Sequence, residues 1–100
     1  MKDEIVESAK HRILYLSHAV KQMTRPERMI SPVEVEATIV DGSVIEEYPN
    51  DARGRSCLIM HWQGGRCIHV VCAPKSDYLA IITAYLPDEE QWGSDFRTRR

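Results

Sequence analysis

His69 stands in the middle of the run Cys67-Ile-His-Val-Val-Cys72, and Thr83 and Tyr85 stand in the next apolar run, Leu79 to Tyr85. An imidazole changes charge near neutral pH and can act as general acid or base, while a hydroxyl and a phenol beside it can orient a substrate. Arg66 immediately precedes the first run, and a guanidinium fork matches the oxygens of a phosphate at two points. Trp62 offers an aromatic surface close by. Nearer the N-terminus, His18 either packs or projects into the same cleft, and Arg28 either pairs with an acidic neighbour or clamps an anion. His69 itself has a second reading, as a half-buried imidazole hydrogen-bonded to a neighbour. Acid–base chemistry on an anionic substrate is what this set of side chains could perform.

The elements that must position these residues are legible between Ser56 and Pro87. Three β-branched and aliphatic runs, bounded by Gly and Pro clusters, predict adjacent antiparallel strands. Gly64-Gly65 suits a two-residue hairpin turn, because the primed turns need positive φ. Strand period then sets the register: Trp62 faces Cys67, Met60 faces His69 and Leu58 faces Val71. With Ala73 opposite Leu79 across a Pro74 to Tyr78 loop, His69 pairs with Thr83 and Cys67 with Tyr85. One face becomes aliphatic, with Ile59, Ile68, Val70, Ile82 and two Ala. The other gathers Trp62, Met60, His69, Thr83 and Tyr85, a mixture of apolar bodies and polar tips that suits a partly wet cleft.

Upstream, Lys2 to His11 reads as a helix, with Asp3 able to cap and acidic residues in the first turn. Arg12 to Ser17 reads either as its continuation or as a short strand. Ser17 is a plausible N-cap for a second helix, His18 to about Met23, ended by Thr24 and Pro26. In Ile30-Ser-Pro-Val-Glu-Val35, Ser31 and Glu34 form a capping box, Pro32 takes the first helical position, and Ile30 and Val35 form a hydrophobic staple. That helix should stop at Gly42 in the left-handed conformation. Val44 to Tyr48 is a further strand and Pro49-Asn-Asp a turn. Asp88 to Trp92 is expected to make one helical turn that folds Trp92 back on the body. From Gly93 onward the composition is that of a frayed tail. The expected organisation is one α+β domain over residues 1–92 and a flexible tail over 93–100.

One hundred residues with a hydrophobic share of 43% and a charged share of 28% suit one ordinary soluble domain with a single core. No apolar run approaches a membrane span, and the acidic, polar N-terminus does not resemble a signal peptide. Three Cys, an odd number without a spaced framework, suit free thiols in a reducing compartment, so the cytoplasm is the expected location. Cys67 and Cys72 point to opposite faces of one strand, and Cys57 and Cys72 oppose each other on the core face; no four-ligand metal site closes, and no metal or cofactor is expected. The net charge of −2 argues against a bulk nucleic-acid binder of the strongly basic kind. Residues 1–50 carry six basic and nine acidic side chains, and residues 51–100 carry seven and six, so the second half is the more basic. No Gly-rich phosphate loop, Cys-x-x-Cys, His-Glu-x-x-His or nucleophile elbow occurs.

Taken in order, Ser17-His18-Ala19, Arg28-x-Ile30-Ser31, Val44-Ile-Glu-Glu-Tyr-Pro49, Gly65-Arg66-x-Ile-His69-Val-Val, Ile82-Thr-Ala-Tyr-x-Pro87 and Trp92 resemble the bacterial family known as domain of unknown function 4258, over about residues 12 to 92. The resemblance implies an extended segment before Ser17-His18, which favours a strand at Arg12 to Leu16. It departs from the family in two places. Gln22 stands where the family usually has a basic residue, and the stretch from Met23 to Ile30 is about two residues longer. The family's layout is similar to that of small RelE-like and BrnT-like ribonuclease toxins, helices first and then an antiparallel meander.

That resemblance implies N-terminal helices packed on a four- to five-stranded antiparallel sheet, in a RelE- or barnase-like layout. It also implies metal-independent binding or cleavage of RNA by attack of a ribose 2′-hydroxyl on the adjacent phosphate. His69 or His18 would serve as base or acid, Arg66 and Arg28 would hold the phosphate, and Tyr85 and Thr83 would orient it. The rival expectation is a non-catalytic module that holds a peptide, a cognate antitoxin or another protein partner. Net acidity favours that rival.

Overall fold

The computed structural model describes residues 1–100. In chain order its elements are α1 (Lys2–His11), β1 (Ile13–Tyr15), α2 (Ser17–Met23), α3 (Pro32–Asp41), β2 (Ser43–Tyr48), β3 (Ser56–Gln63), β4 (Arg66–Pro74) and β5 (Leu79–Tyr85). The strands form one five-stranded sheet in the order β1-β5-β4-β3-β2. β2 to β5 are an antiparallel meander, and β1 joins the outer edge of β5 in parallel. The α+β layout agrees with the sequence reading, as does the strand before Ser17; the parallel pairing of that strand is new.

The Gly64-Gly65 turn explains the central hairpin. Both glycines take positive φ, 61° and 81°, and the β3–β4 register follows as expected, with Trp62 opposite Cys67, Met60 opposite His69 and Leu58 opposite Val71. The β4–β5 register differs from expectation. Pro74 stays in the ladder opposite Leu79, so Ala73 opposes Ala80; a bulge between Val71 and Cys72 then brings Val71 opposite Thr83 and His69 opposite Tyr85. Two slips of one residue add to two, so His69, Thr83 and Tyr85 still share a face. Between the slips the faces exchange. Ile82, expected in the main core, packs instead with Ala73 and Ala80.

α1 and α3 lie against β3, β4 and β5, and α2 against β5. Their inward residues Ile5, Ala19, Met23, Val35 and Ile39 meet Ile59, Ile68, Val70, Leu79 and Ile81 in the main core. Each fully buried aliphatic side chain contributes about 1.5–3 kcal/mol relative to exposure. α3 starts as its sequence requires. Ser31 accepts from the Glu34 amide at 3.2 Å, Glu34 accepts from the Ser31 amide at 3.0 Å, and Pro32 fills the first turn. The staple pair Ile30 and Val35 is buried.

Three cap expectations are corrected. Leu16, not Ser17, is the N-cap of α2, and Met1, not Asp3, is the N-cap of α1; neither makes a side-chain cap bond. Gly42 ends α3 at φ −78°, outside the left-handed region. Glycine is needed there for closeness: a Cβ would stand 2.3 Å from the Thr38 oxygen and 2.7 Å from both Ile59 Cγ2 and the Met60 oxygen.

Candidate functional site

A polar cavity of about 410 Å³ opens where α2 meets the end of β5. His18 and Gln22 reach it from α2, Arg28 from the α2–α3 loop, Thr83 and Tyr85 from β5, and Asp88, Gln91 and Trp92 from the turn that follows. The one-turn spacing of His18 and Gln22 puts both on the same side of the helix. Ala19 and Met23 carry its buried side. Gln22 accepts a hydrogen bond from the Arg28 guanidinium, which aims a cation into the cavity without neutralising it. Four of the seven residues singled out in the sequence, His18, Arg28, Thr83 and Tyr85, thus line one space.

The other three do not line it. His69 lies behind Tyr85 and is fully buried. Its Nδ1 stands 3.3 Å from the Tyr85 hydroxyl and its Nε2 stands 2.8 Å from the Phe96 carbonyl oxygen. The Trp92 ring meets the imidazole edge-on, with centroids 4.7 Å apart. Burial drives the His69 pKa down to about 4, against smaller opposing effects of the Phe96 bond and the Glu46 carboxylate. The sequence reading of a half-buried, satisfied imidazole is the one the geometry matches, with burial more complete than expected.

Arg66 is fully engaged. Its guanidinium pairs with the Glu34 carboxylate at 2.7 Å and donates to the main-chain oxygens of Arg28 at 2.6 Å and Met29 at 3.2 Å. It anchors a loop in place of a phosphate. Glu34 therefore serves both the capping box and Arg66. Burial pushes its carboxyl up, but hydrogen bonds from Ser31 and Arg66 outweigh that and hold it below the usual carboxylate range. Trp62 is 49% exposed, with its ring tilted against Phe96 at 5.8 Å.

The family described as Domain of unknown function (DUF4258) matches residues 15–86. The chain belongs to this family. The DUF4258 match runs from the last residue of β1 to the residue after β5, and so contains His18, Arg28, Arg66, His69, Thr83 and Tyr85. No curated protein and no solved structure matches the chain.

The segment after the DUF4258 match supplies the cover of the sheet face. Gly93–Arg100, whose composition reads as a frayed tail, lies back on the body. Besides the Phe96 contacts with His69 and Trp62, it is held by a bridge between Trp92 and Arg99, an Arg99–Glu46 ion pair at 2.8 Å, and the Arg99 guanidinium 4.5 Å above the Trp92 ring. Sequence reasoning foresaw the return of Trp92, which is 1% exposed. It missed Phe96, Arg99, Gln22 and Gln91. For Phe96 and Arg99 the one sequence signal was an aromatic–arginine pattern in an otherwise polar tail, Phe96-Arg-Thr-Arg-Arg100; Gln22 and Gln91 carried none.

Proposed function

We propose that this DUF4258 domain binds RNA at the cavity between α2 and β5 and cleaves it without a metal. The observation that carries the reading is the gathering of His18, Arg28, Thr83 and Tyr85 around one polar space of about 410 Å³. A ribose 2′-hydroxyl attacking its own phosphate needs a proton acceptor, a proton donor and a cation near the phosphoryl oxygens. Arg28 supplies the cation, oriented by Gln22. His18, exposed at the mouth, supplies the imidazole that takes the 2′-hydroxyl proton as the new phosphorus–oxygen bond forms and passes it to the leaving 5′-oxygen as the old one breaks. Tyr85 and Thr83 supply hydroxyls beside the attacking group. His69 and Arg66 are withdrawn from direct contact and support Tyr85 and the Arg28 loop. The layout similarity to RelE-like ribonuclease toxins adds fold-level analogy.

A second reading has its own observation. An apolar groove of about 330 Å³ runs between α1 and α3, lined by Val6, Ala9, Ile13, Ile39 and Val40, and Val33 and Val40 are 70% and 62% exposed. Such a face suits a protein or peptide partner. The two readings part in one assay, in which the purified protein meets a mixed RNA pool in EDTA and fragment ends are sequenced. Cleavage lost in His18→Ala supports the ribonuclease reading. No cleavage and no salt-sensitive retention of RNA hands the case to the partner-binding module. No helix is long and apolar enough to cross a membrane, and three free thiols suit a reducing, cytoplasmic setting for either role.

A further inference from the structure

Tyr85 is the cavity residue whose hydrogen-bond polarity can be worked out. Its hydroxyl stands 3.3 Å from Nδ1 of His69, and the opposite nitrogen, Nε2, stands 2.8 Å from the carbonyl oxygen of Phe96. A carbonyl oxygen has no proton to give, so Nε2 carries the hydrogen and donates it. The ring is fully buried, with a pKa near 4, and is therefore neutral at pH 7. A neutral imidazole protonated on Nε2 has a bare lone pair on Nδ1. Tyr85 gives its single proton to that lone pair. What remains for the cavity is acceptor capacity alone.

We infer that Phe96, acting through His69, sets Tyr85 as an acceptor for a ligand hydroxyl, so that the cavity takes a sugar hydroxyl adjacent to a phosphate in preference to its deoxy counterpart. The phosphate falls to Arg28, on the same cavity. The anchor of the chain of bonds is well held. Phe96 sits at φ 56°, a left-handed conformation that a non-glycine residue adopts only where its surroundings hold it. It is kept there by the Gly93 amide bonded to the Thr98 oxygen at 2.7 Å, by the Phe96 amide bonded to the Gly93 oxygen at 2.9 Å, and by Asp95 accepting from the Arg97 amide at 3.0 Å. Burial also raises the pKa of the Tyr85 phenol, so it stays protonated and able to donate to His69. His69 is a positioning residue here, because it acts on the ligand only through Tyr85. The identity of the ligand rests on the RNA reading; the polarity of Tyr85 does not.

Nitrogen–proton correlation spectra of ¹⁵N-histidine protein at pH 7 test the polarity. The expected result is a His69 ring protonated on Nε2 with an acceptor-type Nδ1 whose signal moves in Tyr85→Phe. Titration with adenosine 3′-monophosphate and its 2′-deoxy counterpart then tests the selection. The parent should prefer the ribonucleotide by roughly 3–10-fold, the worth of one net hydrogen bond, and Tyr85→Phe should bind both alike. A proton on Nδ1 overturns the inference even where the ribonucleotide binds. Equal binding of both nucleotides by the parent overturns the selection while leaving a phosphate site. If neither binds and the tautomer is as inferred, the RNA reading and the selection fall together, and the polarity of Tyr85 stands.

Discussion

Arg66 grips the main chain of Arg28: its Nη1 donates to the Arg28 carbonyl oxygen at 2.6 Å, while its other nitrogens hold Glu34. One of the two arginines expected to bind an anion is thus the anchor of the loop that carries the other. The residue with the free guanidinium face is the one on the cavity. The fork shape of Arg66 matters, because three acceptors in two directions are reached by one rigid group.

Arg66→Ala should therefore lower stability, where a phosphate-binding role alone would leave it unchanged. Glu34 would lose a partly buried partner and two loop carbonyls would lose a donor, an expected cost of about 1–3 kcal/mol. Arg66→Lys should recover only part of it. Ser31→Ala should cost about 1 kcal/mol on its own. Because the Ser31 hydroxyl and Arg66 both donate to the same Glu34 carboxylate, the double mutant should be non-additive. Chemical denaturation of the four proteins checks this.

How much of this was legible in the sequence depends on distance along the chain. The Ser31–Glu34 box and the Gly64-Gly65 turn are local chemistry, and both fall where the sequence places them. The β4–β5 register is not local. It depends on whether Pro74 remains in the ladder and on a bulge that admits Ile82 as an extra residue, and no turn residue marks either event. The two slips cancel in face though not in pairing, which is why Tyr85 and Thr83 are on the expected side while Ile82 is not. Arg66–Glu34 spans 32 residues and Arg99–Glu46 spans 53; charge pairs at such separations leave no periodic signal. The site was therefore half legible. The candidate residues could be picked out by type, but the tail over His69 and the loop held by Arg66 decide which of them meet the cavity.

His69 gives a pH signature. Its folded pKa of about 4 lies below the ordinary 6.5, so the unfolded chain binds a proton that the folded ring refuses. Stability from this group is fully present above pH 6.5, declines as pH falls towards 4, and is then level. The full difference corresponds to about 3 kcal/mol. Carboxylates held low, at Glu34, Glu46 and Asp51, add their own losses only at the acid end. In the window from 6.5 to about 4.5 the slope belongs largely to His69, and His69→Gln should flatten it. Denaturation midpoints across pH 4.5–7.5 measure the difference.

Gly42→Ala should be costly despite an ordinary φ. The new methyl would stand against two main-chain oxygens, at 2.3 and 2.7 Å, as well as Ile59 Cγ2, and main chain cannot swing aside as a flexible side chain can. Overpacking of this kind typically costs about 1–3 kcal/mol. Gly64→Ala meets no atom within 4 Å and should cost only the left-handed conformation, about 1–2 kcal/mol. A thermal denaturation comparison separates clash from backbone strain: in an Ile59→Ala background, which lacks Cγ2, Gly42→Ala should cost less than in the parent, while Gly64→Ala should cost the same.

Arg99→Ala should loosen the cover of the sheet face. Arg99 contributes an ion pair with Glu46 and a cation–π contact on Trp92, together about 1 kcal/mol at a half-exposed position. The measurable consequence is local. Amide protons of Phe96 and Arg100, bonded to Gly93 and Gln91, should exchange faster, while those of the β3–β4 ladder should not. Once the strap opens, water reaches His69, whose pKa should move up from about 4.

The functional wager rests on the two cavity residues whose side chains make no part of the core. His18→Ala and Arg28→Ala should leave denaturation midpoints near the parent, since His18 is exposed and the Arg28 side chain bonds only Gln22. Both should abolish cleavage of the RNA pool. Loss of an acid–base imidazole typically costs about 10²–10⁴-fold in rate, and loss of a charge-stabilising donor about 10²–10³-fold. They should differ in binding. Arg28 contacts phosphate in this reading, so Arg28→Ala should weaken retention and reduce the salt dependence of log K by about 0.7, the share of one phosphate contact on a single strand. His18→Ala should leave that slope nearly unchanged. Arg66→Ala should weaken RNA binding as well, through a displaced Arg28 loop, but only together with a loss of stability. The slope decides the assignment. If it falls in Arg66→Ala with stability unchanged, the phosphate contact belongs to Arg66, and if no variant alters it, RNA is not the ligand of this cavity.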